Sequence, residues 1–133
     1  MFQGRLRGTL RILTTLTGVV LLVIGIRFLL VPHQASRFFG IATAAPPGSA
    51  DLHYVIGVRD IWLAAIVIIL SALEDWRGLA IWMGLGVLVC AGDAAIAAQS
   101  SAKVLPVAFH LGSGFFCGAL ATACWRQHRV DAA

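Results

Sequence analysis

Four apolar stretches of roughly twenty residues, at positions 12–31, 54–73, 78–98 and 104–125, follow one another with little chain between them and leave few folds open. Each has the length a helix needs to cross the ~30 Å hydrocarbon core of a bilayer. Inside lipid every backbone N–H and C=O must be satisfied within the segment, which makes these stretches helices. The connections EDWR (residues 74–77) and QSSAK (residues 99–103) are too short for anything but antiparallel neighbours. The expected fold is all-α, a transmembrane four-helix up-down-up-down bundle, forming a single domain over residues 1–133 with no internal repeat.

Composition agrees. Hydrophobic residues make up 59% of the chain and charged residues 12%, about half the charged quarter of a soluble domain. A soluble chain this short could not hide so much apolar surface in one core, whereas a bilayer accepts it. The lipid bilayer is therefore the first partner. The net charge of +4 does not point to nucleic acid, because the ten Lys and Arg are scattered singly. Arg5, Arg7, Arg11, Arg77, Arg126 and Arg129 fall on the side of the termini, against Arg37 and Lys103 opposite. By the positive-inside rule both termini are expected to be cytoplasmic, in an inner (plasma) membrane of bacterial type.

The first apolar run also has the outline of a secretory signal, with arginines before it and Ala42-Thr43-Ala44 as a cleavage site. It is longer than a signal's apolar region and contains Arg27, so a retained membrane helix is the expectation. Pro32 should end that helix. HQASRFFGI (residues 33–41) is expected to lie along the interface on Phe38 and Phe39, before the connection ATAAPPGS (residues 42–49). Asp51 is expected to cap the second helix, and Pro106 fits the first turn of the fourth. Trp76, Trp82 and Trp125 are expected as belt anchors on the cytoplasmic side.

The remaining basic residues, Arg27 and Arg59, lie inside apolar runs. At 1.5 Å per residue, Arg27 sits about 6 Å below the outer end of its helix, Asp60 about 9 Å, Asp93 about 8 Å and His110 about 6 Å. Each helix thus carries an ionisable residue at one depth. Such residues are costly in lipid and nearly always face the bundle interior or a wet cavity. Arg27, Arg59, Asp60 and Asp93 sum to zero charge, as a buried cluster should. Neighbouring residues on a helix diverge by about 100°, so Arg59 and Asp60 are expected to pair with other helices, Asp60 with Arg27 and Arg59 with Asp93 being the options. His53, seven residues before Asp60, shares its face and would line the entrance with Tyr54 beside it.

This cluster has two uses. It can lock the helices together, since hydrophobicity does not drive helix association inside lipid. It can also carry chemistry, with Asp60, Asp93 and His110 as candidate catalytic acid-base groups and Arg27, Arg59, His53 and Tyr54 as candidate substrate-binding groups; a lock does not need the histidine. Cys90, Cys117 and Cys124 lie in apolar runs without ligand spacing and read as packing residues, so no metal site is expected. Gly114 and Gly118 form a GxxxG, and Gly84, Gly86 and Gly92 mark the third helix. These Gly-rich faces allow close approach within the bundle or in a homo-oligomer.

PHQASRFFGI after the first helix, GVRD opening the second, GDA at residues 92–94 and HLGSG at residues 110–114 together resemble a family of small four-helix membrane proteins of unknown function, related to the DoxX-like superfamily. The resemblance covers nearly the whole chain and implies that Arg59, Asp60, Asp93 and His110 form the family's polar set. Where it implies a glycine after the Arg-Asp pair, this chain has Ala64. DoxX-like relatives are associated with quinone-linked redox subunits. The expected function is a membrane-embedded enzyme or binding protein for a lipophilic small molecule. Isomerisation, cyclisation or epoxide opening would suit it, since proton transfer suffices and no cofactor is required. The alternative is a non-catalytic membrane subunit, quinone-associated, with a structural cluster.

Overall fold

A computed structural model describes residues 2–41, 50–100 and 103–133. The cleavage-site triplet Ala42-Thr43-Ala44 and the connection at 42–49 fall outside them. Five helices appear among the described residues, with no strand: α1 (Phe2–Leu30), α2 (Pro32–Phe39), α3 (Ala50–Ala72), α4 (Trp76–Ser100) and α5 (Val104–Asp131). All but α2 are long and apolar enough to cross a membrane, with windows of mean hydropathy from 1.6 to 2.2. The fold is an all-α bundle.

Helices α1 and α5 run beyond their apolar stretches at the termini. The flanking arginines are good helix formers, and Arg11 reaches Glu74 at 3.6 Å. Pro32 stands in the first turn of α2, where its missing N–H costs nothing. Between α3 and α4 the chain reverses through Glu74, held at φ 53°, and Asp75 then caps α4 by accepting a hydrogen bond from the Gly78 N–H at 2.9 Å. Asp51 does not cap α3 from outside. It lies within the first turn, where its charge still favours the positive end of the helix.

Two helix pairs make up the bundle. α1 packs along α3 and α4 along α5, while the two pairs touch each other more sparsely. Glycine sets the first pairing: a methyl on Gly25 would stand 2.8 Å from the Gly57 carbonyl, and one on Gly57 2.9 Å from the Gly25 carbonyl. The two backbones are thus in direct contact, as small residues permit in membranes. The GxxxG of α5 serves the second pairing. Gly114 lies against Cys90 and Gly118 against Val87, both within the chain.

The pairs join firmly at the end that bears the termini. Leu10, Val67, Leu79, Met83, Leu120 and Cys124 interlock there with almost no exposed surface. Beside them the Ser71 hydroxyl lies 2.8 Å from both Thr14 Oγ1 and Thr15 Oγ1 and donates to the Arg11 carbonyl. Arg7 pairs with Asp131, which also accepts from Gln127 Nε2 at 2.8 Å, so the ends of α1 and α5 are tied. Trp76, 4% exposed, belongs to this core and so does not serve as a belt anchor, while the part-buried Trp82 packs against it. Trp125 is half exposed, as an anchor would be.

Candidate functional site

A cavity of about 690 Å³ opens between the two pairs and reaches from Leu13 and Trp82, beside the packed core, to Asp60, Asp93 and His110 towards the opposite end. Its wall is assembled from α1, α3, α4 and α5, with Phe39 of α2 at the edge. Residues such as Leu16, Val20, Leu63, Leu85 and Phe116 make most of it apolar, while Arg59, Asp60, Asp93 and His110 supply its charged and titratable groups. That volume suits a small organic molecule.

Asp60 is 4% exposed and accepts a hydrogen bond from Arg59 Nε at 3.1 Å. The pair expected to part therefore bonds within one helix. The guanidinium stem is long enough to swing back round the helix, which the 100° divergence of the Cβ atoms does not forbid. Asp93 makes no hydrogen bond or ion pair among the described residues, and Arg59, Asp60 and His110 are the ionisable groups near it. His110 is buried, its ring against Phe39 at 4.3 Å, with Nε2 3.1 Å from the Phe39 carbonyl oxygen. A carbonyl only accepts, so Nε2 is the donor in this contact.

The short helix α2 is what brings that carbonyl to the histidine. It ends at Gly40, whose φ of 93° is left-handed and whose Cβ, if present, would stand 2.7 Å from Pro106 Cβ and 2.9 Å from Ala97 Cβ. Only glycine fits both the backbone angle and the gap. α2 is thereby seated across the ends of α4 and α5. Ala35 and Ser36 face inward and Phe38 outward, as an interfacial segment requires.

Three other expected site residues lie elsewhere. Arg27 is exposed, its guanidinium 5.7 Å from the centre of the Phe38 ring, and it does not pair with Asp60. Asp60 turns to the nearer guanidinium on its own helix, and Arg27 takes the aromatic face that α2 offers. His53 is buried between Phe28, on which it stacks at 6.2 Å, and His33, and Tyr54 is exposed. Neither lines the cavity. His53 lies four residues before Gly57, on the face of α3 that α1 closes.

Cys90 and Cys117, expected as packing residues, both line the cavity. Their spacing was the available signal. Cys90 is three residues before Asp93, and Cys117 seven after His110, so each shares a face with a titratable group. The Phe39 carbonyl, a backbone atom, left no such mark.

A family model with the description "Domain of unknown function (DUF4267)" matches residues 18–125, which include all four groups of the cavity's polar end. No curated protein and no solved structure matches the chain.

Proposed function

Since this chain belongs to the DUF4267 family, whose description carries no activity, we propose from its own cavity that it is a membrane-embedded enzyme or binding protein for a lipophilic small molecule. The observation that carries this is one space of about 690 Å³ with apolar walls and four ionisable side chains from three helices at one end. Leu16, Val20 and Phe116 line it and keep about half their surface exposed, so the apolar wall is open to a lipophile.

In an enzyme, His110 Nδ1 would take or return a proton and Asp93 would act as its acidic counterpart, while the Arg59–Asp60 pair fixes the local field. Substrate needs only to be held against these groups, with water kept out by the apolar wall. The alternative, a non-catalytic and quinone-associated subunit with a purely structural cluster, is equally compatible with the family match, and the ligand-binding reading is preferred here for one observation. A lock would bind one helix to the next, whereas the Arg59–Asp60 bond stays within α3.

The test screens lipophiles for thermal stabilisation of the purified chain and of Asp93→Asn and His110→Gln. The expected result is a stabilising lipophile whose effect, or turnover, is lost in variants that keep the wild-type melting temperature; proton transfer contributes about 10² to 10⁴ in rate. If every variant that loses the response also loses its fold, the reading fails.

A further inference from the structure

Arg59 is the one arginine lining the cavity among the described residues, and a guanidinium keeps its proton at any pH a protein meets. It stands about two and a half turns into α3 from Ala50, within a helix apolar enough to cross a membrane. Its charge is met. The Asp60 carboxylate accepts from Nε at 3.1 Å, and the Asp93 carboxyl lies near. Its remaining donors are not: Nη1 and Nη2 make no hydrogen bond among the described residues, and the side chain is 43% exposed. Lipid tails carry no acceptor, so these N–H groups are satisfied only by what enters the cavity.

The charge already present selects the kind of acceptor. Arg59 and Asp60 are neutral as a pair, so an entering carboxylate adds charge to a site of low dielectric after first shedding its hydration, which is costly. A carbonyl oxygen offers two lone pairs and brings neither charge nor a donor of its own. An ammonium head finds nothing on Arg59 to accept its N–H groups, because a guanidinium only donates. Beyond the polar end, Leu16, Val20, Leu63 and Val89 give the wall an aliphatic surface.

We propose that the cavity takes an uncharged carbonyl-bearing lipophile, a ketone or ester in class, its oxygen on the Nη groups of Arg59 and its hydrocarbon along Leu16, Val20, Leu63 and Val89. This rests on the reading of the cavity as a lipophile site and names the ligand's head. Asp60 is the positioning residue: by holding Nε it fixes the plane of the guanidinium and leaves the Nη edge to the ligand.

The test keeps the tail nearly constant and varies the head. 2-Tridecanone, tridecane and dodecanoate are compared at equal mole fraction in nanodiscs holding the full chain, made of ether-linked phosphocholine lipid, which brings no carbonyl. Tryptophan fluorescence and melting temperature report binding, and isotope-difference infrared spectra report the ketone's carbonyl stretch. The ketone should bind about tenfold or more tightly than tridecane, since a hydrogen bond from a charged donor is among the strong ones, and its stretch should fall in frequency when bound. Arg59→Met combined with Asp60→Asn replaces the pair as a unit and leaves neither charge buried alone. That double variant should bind ketone and alkane alike and lose the shifted band. If tridecane binds the wild type as tightly as the ketone, or dodecanoate more tightly, the carbonyl proposal is overturned and the lipophile reading survives. If none of the three binds, the lipophile reading falls with it. The wild-type ranking and the infrared band decide the matter even if the double variant fails to fold.

Discussion

Leu79 and Met83 of α4 are fully buried between the other helices; Leu85 and Val89, on another face of the same helix and starting about half a turn beyond Met83, stand half open beside a cavity. Both regions have the composition of a membrane helix. What separates them is the partner across the gap. Close to the termini Leu10, Val67 and Leu120 reach the facing helix and complete a packed layer. Towards α2 the backbones of α1 and α3 are drawn together at Gly25 and Gly57, and α4 stays with α5, so the two pairs separate. Apolarity places a helix in the bilayer. Only side-chain size and backbone approach decide whether it then packs or leaves room.

The same substitution in both regions is the sharpest way to break this contrast. Leu79→Ala removes a fully buried side chain from the packed layer and should cost about 2–5 kcal/mol, seen as earlier unfolding in a denaturing-detergent titration. Next, Gly57→Ala should cost about 1–3 kcal/mol, because its methyl would enter the Gly25 carbonyl and the Leu29 side chain and push α1 from α3. A smaller effect there would mean that the pair slides apart easily. The least effect is expected at Leu85→Ala, below about 0.5 kcal/mol, since that side chain is 58% exposed and borders open space. Equal losses at Leu79 and Leu85 would erase the distinction between the two regions.

Much of the architecture was legible because a bilayer imposes it. Span length, the Pro32 boundary and the antiparallel order follow from hydropathy and short connections. The polar residues were legible for the same reason, since Arg59, Asp60, Asp93 and His110 are conspicuous in apolar runs and the matched depths put them at one end. Sequence could not tell which neighbour each would choose. A depth argument is blind to rotation about the helix axis, so Arg27 and His53 were grouped with residues they do not join. It is equally blind to helix spacing. The sparse contact between the two pairs depends on the Gly25–Gly57 approach, where each glycine alone looked unremarkable.

The tie between Arg7 and Asp131 has a consequence for assembly. α1 and α5 are the first and last of the described helices in sequence, yet they are neighbours, so the ring of helices closes through the chain's two extremes. During synthesis α1 can meet α3 early, while α4 gains its main partner only when α5 follows. Leu120 and Cys124 arrive with that helix and complete the layer around Leu79, and His110 arrives with it to receive the Phe39 carbonyl. Until then the bilayer holds a half-built ring whose carboxyls, Asp60 and Asp93, still lack one side of their enclosure. Helix α5 both seals the bundle and supplies His110, the one histidine lining the cavity among the described residues.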